Sequence, residues 1–188
     1  MKTKERIIAA ADQLFYQQGF DHTSFADIAD AVNISRGNFY HHFKSKDEIL
    51  TGVIAKRLTN TQLMLDQWQR EADTPQECIR SFINILIMNS TKIKNYGCPV
   101  GTLCSELAKL DHPLQSMANR VFALFRDWLS AQFVLMGLAE NSDELALHIL
   151  MRSQGVATLG NAFQDDQFIR REVDQMYEWL DQIVGQAH

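Results

Sequence analysis

The chain has 188 residues, 46% of them hydrophobic and 22% charged, which excludes a disordered chain and provides for one large or two small domains. Only three prolines and nine glycines interrupt it, which favours long helices, and no run approaches the roughly 20 apolar residues of a membrane span. The net charge of −5 argues against a nucleic-acid partner until it is divided: residues 1–60 hold eight Lys/Arg against seven Asp/Glu, and the remainder holds ten against sixteen. Affinity for phosphate follows the local field rather than the total charge, and Arg36 to Lys46 contains no acid.

The opening MKTKERIIAAADQLF is amphipathic and lacks the unbroken apolar core of a secretion signal, so a cytoplasmic location is expected. Ile7, Ile8, Ala11, Leu14 and Phe15 recur at helical spacing and predict a first helix over 4–18. Gly19 follows where a left-handed C-cap is wanted, with Phe20 able to fold back onto the helix. Ser24, with Asp27 three residues on, is a capping-box-like start for a second helix in which Phe25, Ile28, Ala29 and Val32 share a face. Asn33 tolerates a left-handed turn, and Ser35 caps a third helix through about His42. In that helix Phe39 and Phe43 share one side, which leaves Arg36, Tyr40 and the polar residues around them facing outward. A compact helix followed at once by a short aromatic, hydrogen-bonding and basic one is what reading the major groove of DNA requires.

Ser45-Lys46-Asp47-Glu48 is a capping box opening a fourth helix to about Arg70. Thr74-Pro75 leads into a fifth, read over 78–93. Residues 95–101 break the pattern. A short helix is expected over 102–109, a long one from His112-Pro113 to about Met136, and two more at about 142–163 and 166–184. No segment alternates as a strand does, so the fold class is all-α with about nine helices.

Cys78, Cys98 and Cys104 form no C-x-x-C pair and have no histidine spacing suited to zinc, and their odd number argues against a disulfide framework. Adjacent His41 and His42 point about 100° apart on a helix and do not share an ion. No nucleophile–base pair, phosphate-binding glycine loop or paired carboxylates suggest an enzyme. Neither a metal nor a cofactor is expected.

The pattern IIAAADQLFYQQGFDHTSFADIADAVNISRGNFYHHFKSKDEIL resembles the N-terminal domain of TetR-family transcriptional regulators, matching its helix lengths, its turn, the Phe39-Tyr40 pair and the closing Phe43-Lys44-Ser45-Lys46. The resemblance implies a helix-turn-helix DNA-binding head over 1–46 and a ligand-binding and dimerisation body over 47–188. It implies DNA contacts from Thr23 and Ser24 to phosphate, from Arg36, Gly37 and Asn38 at base edges, and from Tyr40, His42 and Lys46 to the backbone. Arg36 is the candidate for a bidentate guanine contact, worth about 1–3 kcal/mol of discrimination. The expected partners are a double-stranded, near-palindromic operator, a small-molecule inducer and a second copy of the chain, with no membrane. Repression is the expected outcome. Activation, ligand-independent regulation or a helical protein-interaction module are the alternatives.

In the body, Phe82, Tyr96, Cys98, Phe122, Phe125 and Trp128 are the candidate ligand-pocket residues, since several aromatics fall within 122–133. Segment 97–107, GCPVGTLCSEL, is similar to a subgroup with Gly-Cys at this point, some of whose members sense electrophiles or oxidants. Cys98 precedes a short helix and lies near Lys92 and Lys94, all of which would lower its pKa. Met151, Arg152, Gly155, Thr158, Leu159, Ala162, Met176, Tyr177 and Leu180 are the candidate dimer face, two stripes forming a four-helix bundle about a two-fold axis. The fourth helix is the expected lever between ligand and DNA.

Overall fold

The computed structural model describes residues 2–186, without the side chains of Arg36 and Gln186. Among the described residues the chain forms ten α-helices and one 3-10 turn, Ala139–Asn141, with no strand. The helices are α1 Thr3–Gln18, α2 Phe25–Ala31, α3 Arg36–His42, α4 Lys46–Glu71, α5 Pro75–Met88, α6 Ser90–Tyr96, α7 Pro99–Lys109, α8 Gln115–Leu135, α9 Ser142–Phe163 and α10 Asp166–Gln186.

The stretch read as one helix over 78–93 is two, because Asn89 leaves helical geometry and its side-chain amide donates to the Ile85 carbonyl. Helix α7 starts at Pro99, three residues ahead of expectation, since proline supplies a ready first-turn φ and needs no N–H there. Most other local signals act as read, but Gly19 does not take the left-handed cap conformation expected of it. Ser24 and Asp27 form a reciprocal box, Ser35 accepts from the Asn38 N–H at 3.3 Å, and Ser45 accepts from the Glu48 N–H at 3.1 Å. Asn33 takes φ +54° between α2 and α3. Gly19 has positive φ but an extended ψ, a conformation open only to glycine.

The chain divides into two compact units, residues 1–60 with 99–121 and residues 61–98 with 122–188. This differs from the expected division at 46/47. Ile54 and Arg57 of α4 share a packing layer with Val100, Leu103 and Cys104 of α7 and Ala118 and Val121 of α8. Arg57 donates to Asp12 on α1 at 2.7 Å and to the Pro99 carbonyl at 2.5 Å, so a distant segment completes the first unit. Ile7, Phe15, Phe20, Ile28, Phe39, Phe43 and Ile49 are among the other residues of its buried core.

In the second unit α10 packs on α5 and α9, and α6 packs on α9. Close approach of α9 and α10 depends on Gly160, where an added Cβ would lie 2.8 Å from Ile169. Ile169, Val173, Met176 and Leu180 turn the apolar stripe of α10 inward. Met176 and Leu180, expected on the dimer face, have no exposed surface and belong to this core. Tyr177 is half-buried under the Arg80 guanidinium, 4.7 Å from its ring, and Arg80 is itself held by both oxygens of Asp181. The amphipathic pattern of α10 is real, and its apolar side is satisfied within one chain.

Candidate nucleic-acid interface

Helices α2 and α3 meet through Phe25 and Phe39, whose rings pack edge to face at 5.1 Å. Phe39 and Phe43 are buried and fix which side of α3 is turned away from the core. Gly37, Asn38 and His41 are exposed, Tyr40 is 49% exposed and His42 is half-buried. The backbone of Arg36 opens this helix; its side chain lies outside the described residues. Phe25 braces the Tyr40 ring at 5.5 Å, holding a large aromatic at the surface without burying it. Between the two helices lies a notch of about 200 Å³ lined by Ser24, Phe25, Ala26, Ala29, Phe39 and Tyr40. A Cβ added at Gly37 would meet nothing within 4 Å, so no packing inside the chain requires glycine there.

Three residues expected to touch phosphate are engaged otherwise. Thr23 is 1% exposed; its hydroxyl donates to the Gly19 carbonyl at 2.6 Å and accepts from Gln18 at 3.3 Å. It closes the α1–α2 turn and is not placed for an outside contact. Lys46 is not a free cation: its ammonium donates to the Phe20 carbonyl at 2.9 Å and the Asp21 carbonyl at 3.3 Å, and lies 4.2 Å from the Phe20 ring centroid. Ser24 is exposed, but its N–H and hydroxyl both donate to Asp27. Those two bonds hold the Asp27 carboxyl below the usual range, so the start of α2 carries its own anion.

Phe20 and Asp21 have a further partner that sequence reasoning missed. The Glu106 carboxylate on α7 accepts both their N–H groups, each at 2.9 Å. His112 packs its ring against Phe20 at 5.1 Å and lies 3.4 Å from the Asp47 carboxylate.

Of the pocket candidates, Phe82 and Phe125 are brought together at 5.3 Å, edge to face. Trp128 packs against Trp68 of α4 at 5.9 Å, a residue that sequence reasoning did not single out. Tyr96, Cys98 and Phe122 are half-buried. Trp128 is 9% exposed and its indole N–H, wholly buried, has no acceptor among the described residues. Beside it, the side-chain amide of buried Gln132 donates a long 3.5 Å bond to the Trp128 carbonyl. Lys94, expected to act on Cys98, is paired with Asp166 at 2.7 Å. Cys78 and Cys104 are buried, and burial pushes the Cys78 thiol up. Among the described residues no group of three or more His, Cys, Asp or Glu is placed to hold a metal ion.

Helix α9 is apolar on both faces. Ala146, Ile149, Leu150, Val156 and Ala157 are buried, whereas Leu147, Met151, Gly155, Thr158, Leu159, Ala162 and Phe163 are exposed along the opposite side. Arg152, at the edge of that stripe, is half-buried and only loosely bonded to Glu172 and Gln175 at 3.5 Å.

Two segments of the chain each match a known family model. Residues 7–53 match the model of bacterial regulatory proteins of the tetR family, and residues 75–175 match the C-terminal domain of LmrA/YxaF-like transcriptional regulators. The chain belongs to the TetR family of transcriptional regulators. It is 29% identical to the HTH-type transcriptional regulator in the lacX 3′ region of Lactococcus lactis subsp. lactis, over 92% of this chain and 90% of that protein. It is 27% identical to the HTH-type transcriptional repressor BepR of Brucella suis biovar 1, over 77% of this chain and 69% of that protein. A TetR transcriptional regulator from Legionella pneumophila superposes with a TM-score of 0.84 at 27% identity, covering 97% of both chains. As a TetR regulator the chain is a DNA-binding protein and not an enzyme, and among the described residues no helix is long and apolar enough to cross a membrane.

One titration belongs to the TetR body itself. His148 of α9 stacks on Trp179 of α10 at 4.5 Å, and its Nε2 is buried with no hydrogen-bond partner among the described residues. Burial, and then the charge of Arg152, push its pKa below the ordinary 6.5. The unfolded chain therefore binds more protons just below pH 6.5, so stability is expected to fall as pH drops through that window and to level off below the folded pKa. The slope from one such group is at most about 1.4 kcal/mol per pH unit. Urea unfolding at pH 7.5 and 5.5 should show a loss in the wild type that His148→Gln reduces; an equal loss in both would remove His148 as the cause.

Proposed function

We propose that this TetR regulator represses transcription as a homodimer on a near-palindromic operator and is released by a small, largely apolar ligand held in the unit of residues 61–98 and 122–188. What carries the reading is the pairing of an outward recognition helix with an uncovered apolar stripe on α9. A two-fold dimer through α9 would present two copies of α3 to two half-sites, and the operator would mirror that symmetry. Gly37 and Asn38, with Arg36, would meet base edges; Tyr40 and His42 would meet the flanking backbone. The similarity to BepR, a named repressor, supports repression over activation. Such a protein acts where the DNA is, in the cytoplasm.

The orphaned Trp128 N–H supports a ligand with a hydrogen-bond acceptor. A buried donor without a partner costs about 1–3 kcal/mol, which a carbonyl, ether or phenolic oxygen arriving beside the aromatic residues would recover. The ion pair of Lys94 with Asp166 removes one of the three influences expected to activate Cys98, which supports noncovalent release to that extent. A preference of about 3 kcal/mol for the released state suffices for a roughly hundredfold loss of operator affinity. Helices α4 and α8 each run from one unit into the other and supply the continuous connections for that bias.

The test is selection of random-sequence duplexes by the full chain, followed by screening small molecules for release of the enriched site. Enrichment of a two-fold symmetric sequence is expected; failure to enrich any palindrome would overturn the reading. Trp128→Phe should leave operator affinity within about twofold and raise the concentration of a releasing compound needed by about tenfold, the worth of one hydrogen bond. Unaltered potency would remove Trp128 from the ligand site.

A further inference from the structure

We infer that Glu106 is a positioning residue for operator binding, a clasp from α7 that sets the α1–α2 turn and through it the seat of the recognition helix. This role presupposes that α3 reads the operator. Two consecutive backbone N–H groups, Phe20 and Asp21, donate to the two carboxylate oxygens at 2.9 Å each, a charge-assisted fork across 86 residues of sequence. The carbonyls of the same two residues accept from Lys46. One acid and one base thus hold both the donors and the acceptors of a two-residue segment.

The surroundings are built for this grip. Gly19 has φ +93°, and a Cβ added there would lie 2.9 Å from the Glu106 Oε1, so a side chain would both strain the backbone and push the carboxylate off. The Thr23 hydroxyl returns to the Gly19 carbonyl and closes the turn. Ser24 then caps α2, which seats α3 through the Phe25–Phe39 contact. Freedom at Phe20 and Asp21 therefore becomes freedom of α2 and of the face of α3 beyond it. Base readout tolerates little of that, since productive contacts need placement within about 0.5 Å.

Charge alone and positioning predict opposite results. Glu106→Gln removes an anion from a DNA-binding unit, which by simple electrostatics raises affinity. Glu106→Asp keeps the charge and on the same grounds changes nothing. A clasp fails in both, because the amide offers a donor to one of the two N–H groups and the shorter acid cannot span them. The measurement is operator affinity of the full chain for the selected sequence against salt concentration, with amide hydrogen exchange at Phe20 and Asp21 read without DNA. Both variants should bind about tenfold more weakly, with the slope of log Kd against log salt unchanged because no phosphate contact is lost. Both amides should be protected in the wild type and exchange faster in each variant. Wild-type affinity in either variant, higher affinity in Glu106→Gln, or unprotected amides in the wild type would each overturn the clasp. A wild-type chain that binds no operator would instead overturn the DNA reading beneath it, since the amide exchange stands without DNA.

Discussion

Gly155→Arg is expected to leave the fold intact, turn the chain into a monomer and weaken operator binding by about a hundredfold or more. The fold survives because a Cβ at Gly155 meets nothing within 4 Å and the residue is exposed. The proposed dimer would not, because Gly155 lies at the middle of a stripe running from Leu147 to Phe163, about 24 Å of helix at 1.5 Å per residue. Met151 is 64% exposed and Phe163 65% exposed, and side chains of that size lose hydration favourably only if something covers them. Across a two-fold axis the same glycine faces its own copy, so one substitution introduces two guanidinium groups into the contact. The operator penalty follows from linkage: a dimer holds its second reading helix at an effective concentration in the millimolar range, and the gain can reach about 10²–10⁴. Sedimentation of wild type and variant, with operator binding measured on both, decides the matter. A Gly155→Arg chain that remains dimeric would move the interface elsewhere.

The proposed dependence on pairing draws support from the structure as well as from the sequence. Residues 1–60 hold only one more Lys/Arg than Asp/Glu, and Lys46 and Thr23 are drawn into the α1–α2 turn rather than left for phosphate. Fewer phosphate contacts from one copy would mean less counterion release, so on the proposed reading a single copy is expected to bind DNA poorly at physiological salt.

What was legible in the sequence is what local chemistry decides. Caps, the left-handed Asn33 and the four-residue spacing of Phe39 and Phe43 place α2 and α3, because each signal acts within a helical turn. Lys46 was legible as a cation but not as a clamp, since its acceptors lie 26 and 25 residues back, and no spacing rule joins Glu106 to Phe20. The dimer face shows the same limit from another side. Both α9 and α10 carry apolar stripes, and periodicity tells that a stripe must be covered without telling by what. Packing covers Met176 and Leu180 with α5 and α9 and leaves Met151 and Leu159 open. The pocket candidates divide likewise: Phe82 and Phe125 meet, while Trp128 meets a tryptophan from α4 that had no local mark of its role.

Gly37→Ala should raise stability and lower operator affinity, two effects of opposite sign from one methyl group. Alanine in place of an exposed helical glycine restricts the unfolded chain and favours the helix by about 0.5–1 kcal/mol. Nothing in the chain lies close enough to the new Cβ to offset that gain. In the proposed complex the same position is in the leading turn of α3, where the backbone would come close to the groove, and a methyl group there would hold the helix off. A displacement of that kind weakens every base contact of the turn together, so a loss of about tenfold or more is expected, set against about 1–3 kcal/mol for a single bidentate contact. In a dimer the loss is counted at both half-sites. Melting temperature and operator affinity measured on the same preparation separate the alternatives. Higher stability with unchanged affinity would make Gly37 a weak helix residue and nothing more, and the groove-facing side of α3 would have to be sought beyond its first turn. Lower stability would contradict the open space itself. Only the combination of a firmer helix and a weaker complex identifies the glycine as room kept for DNA.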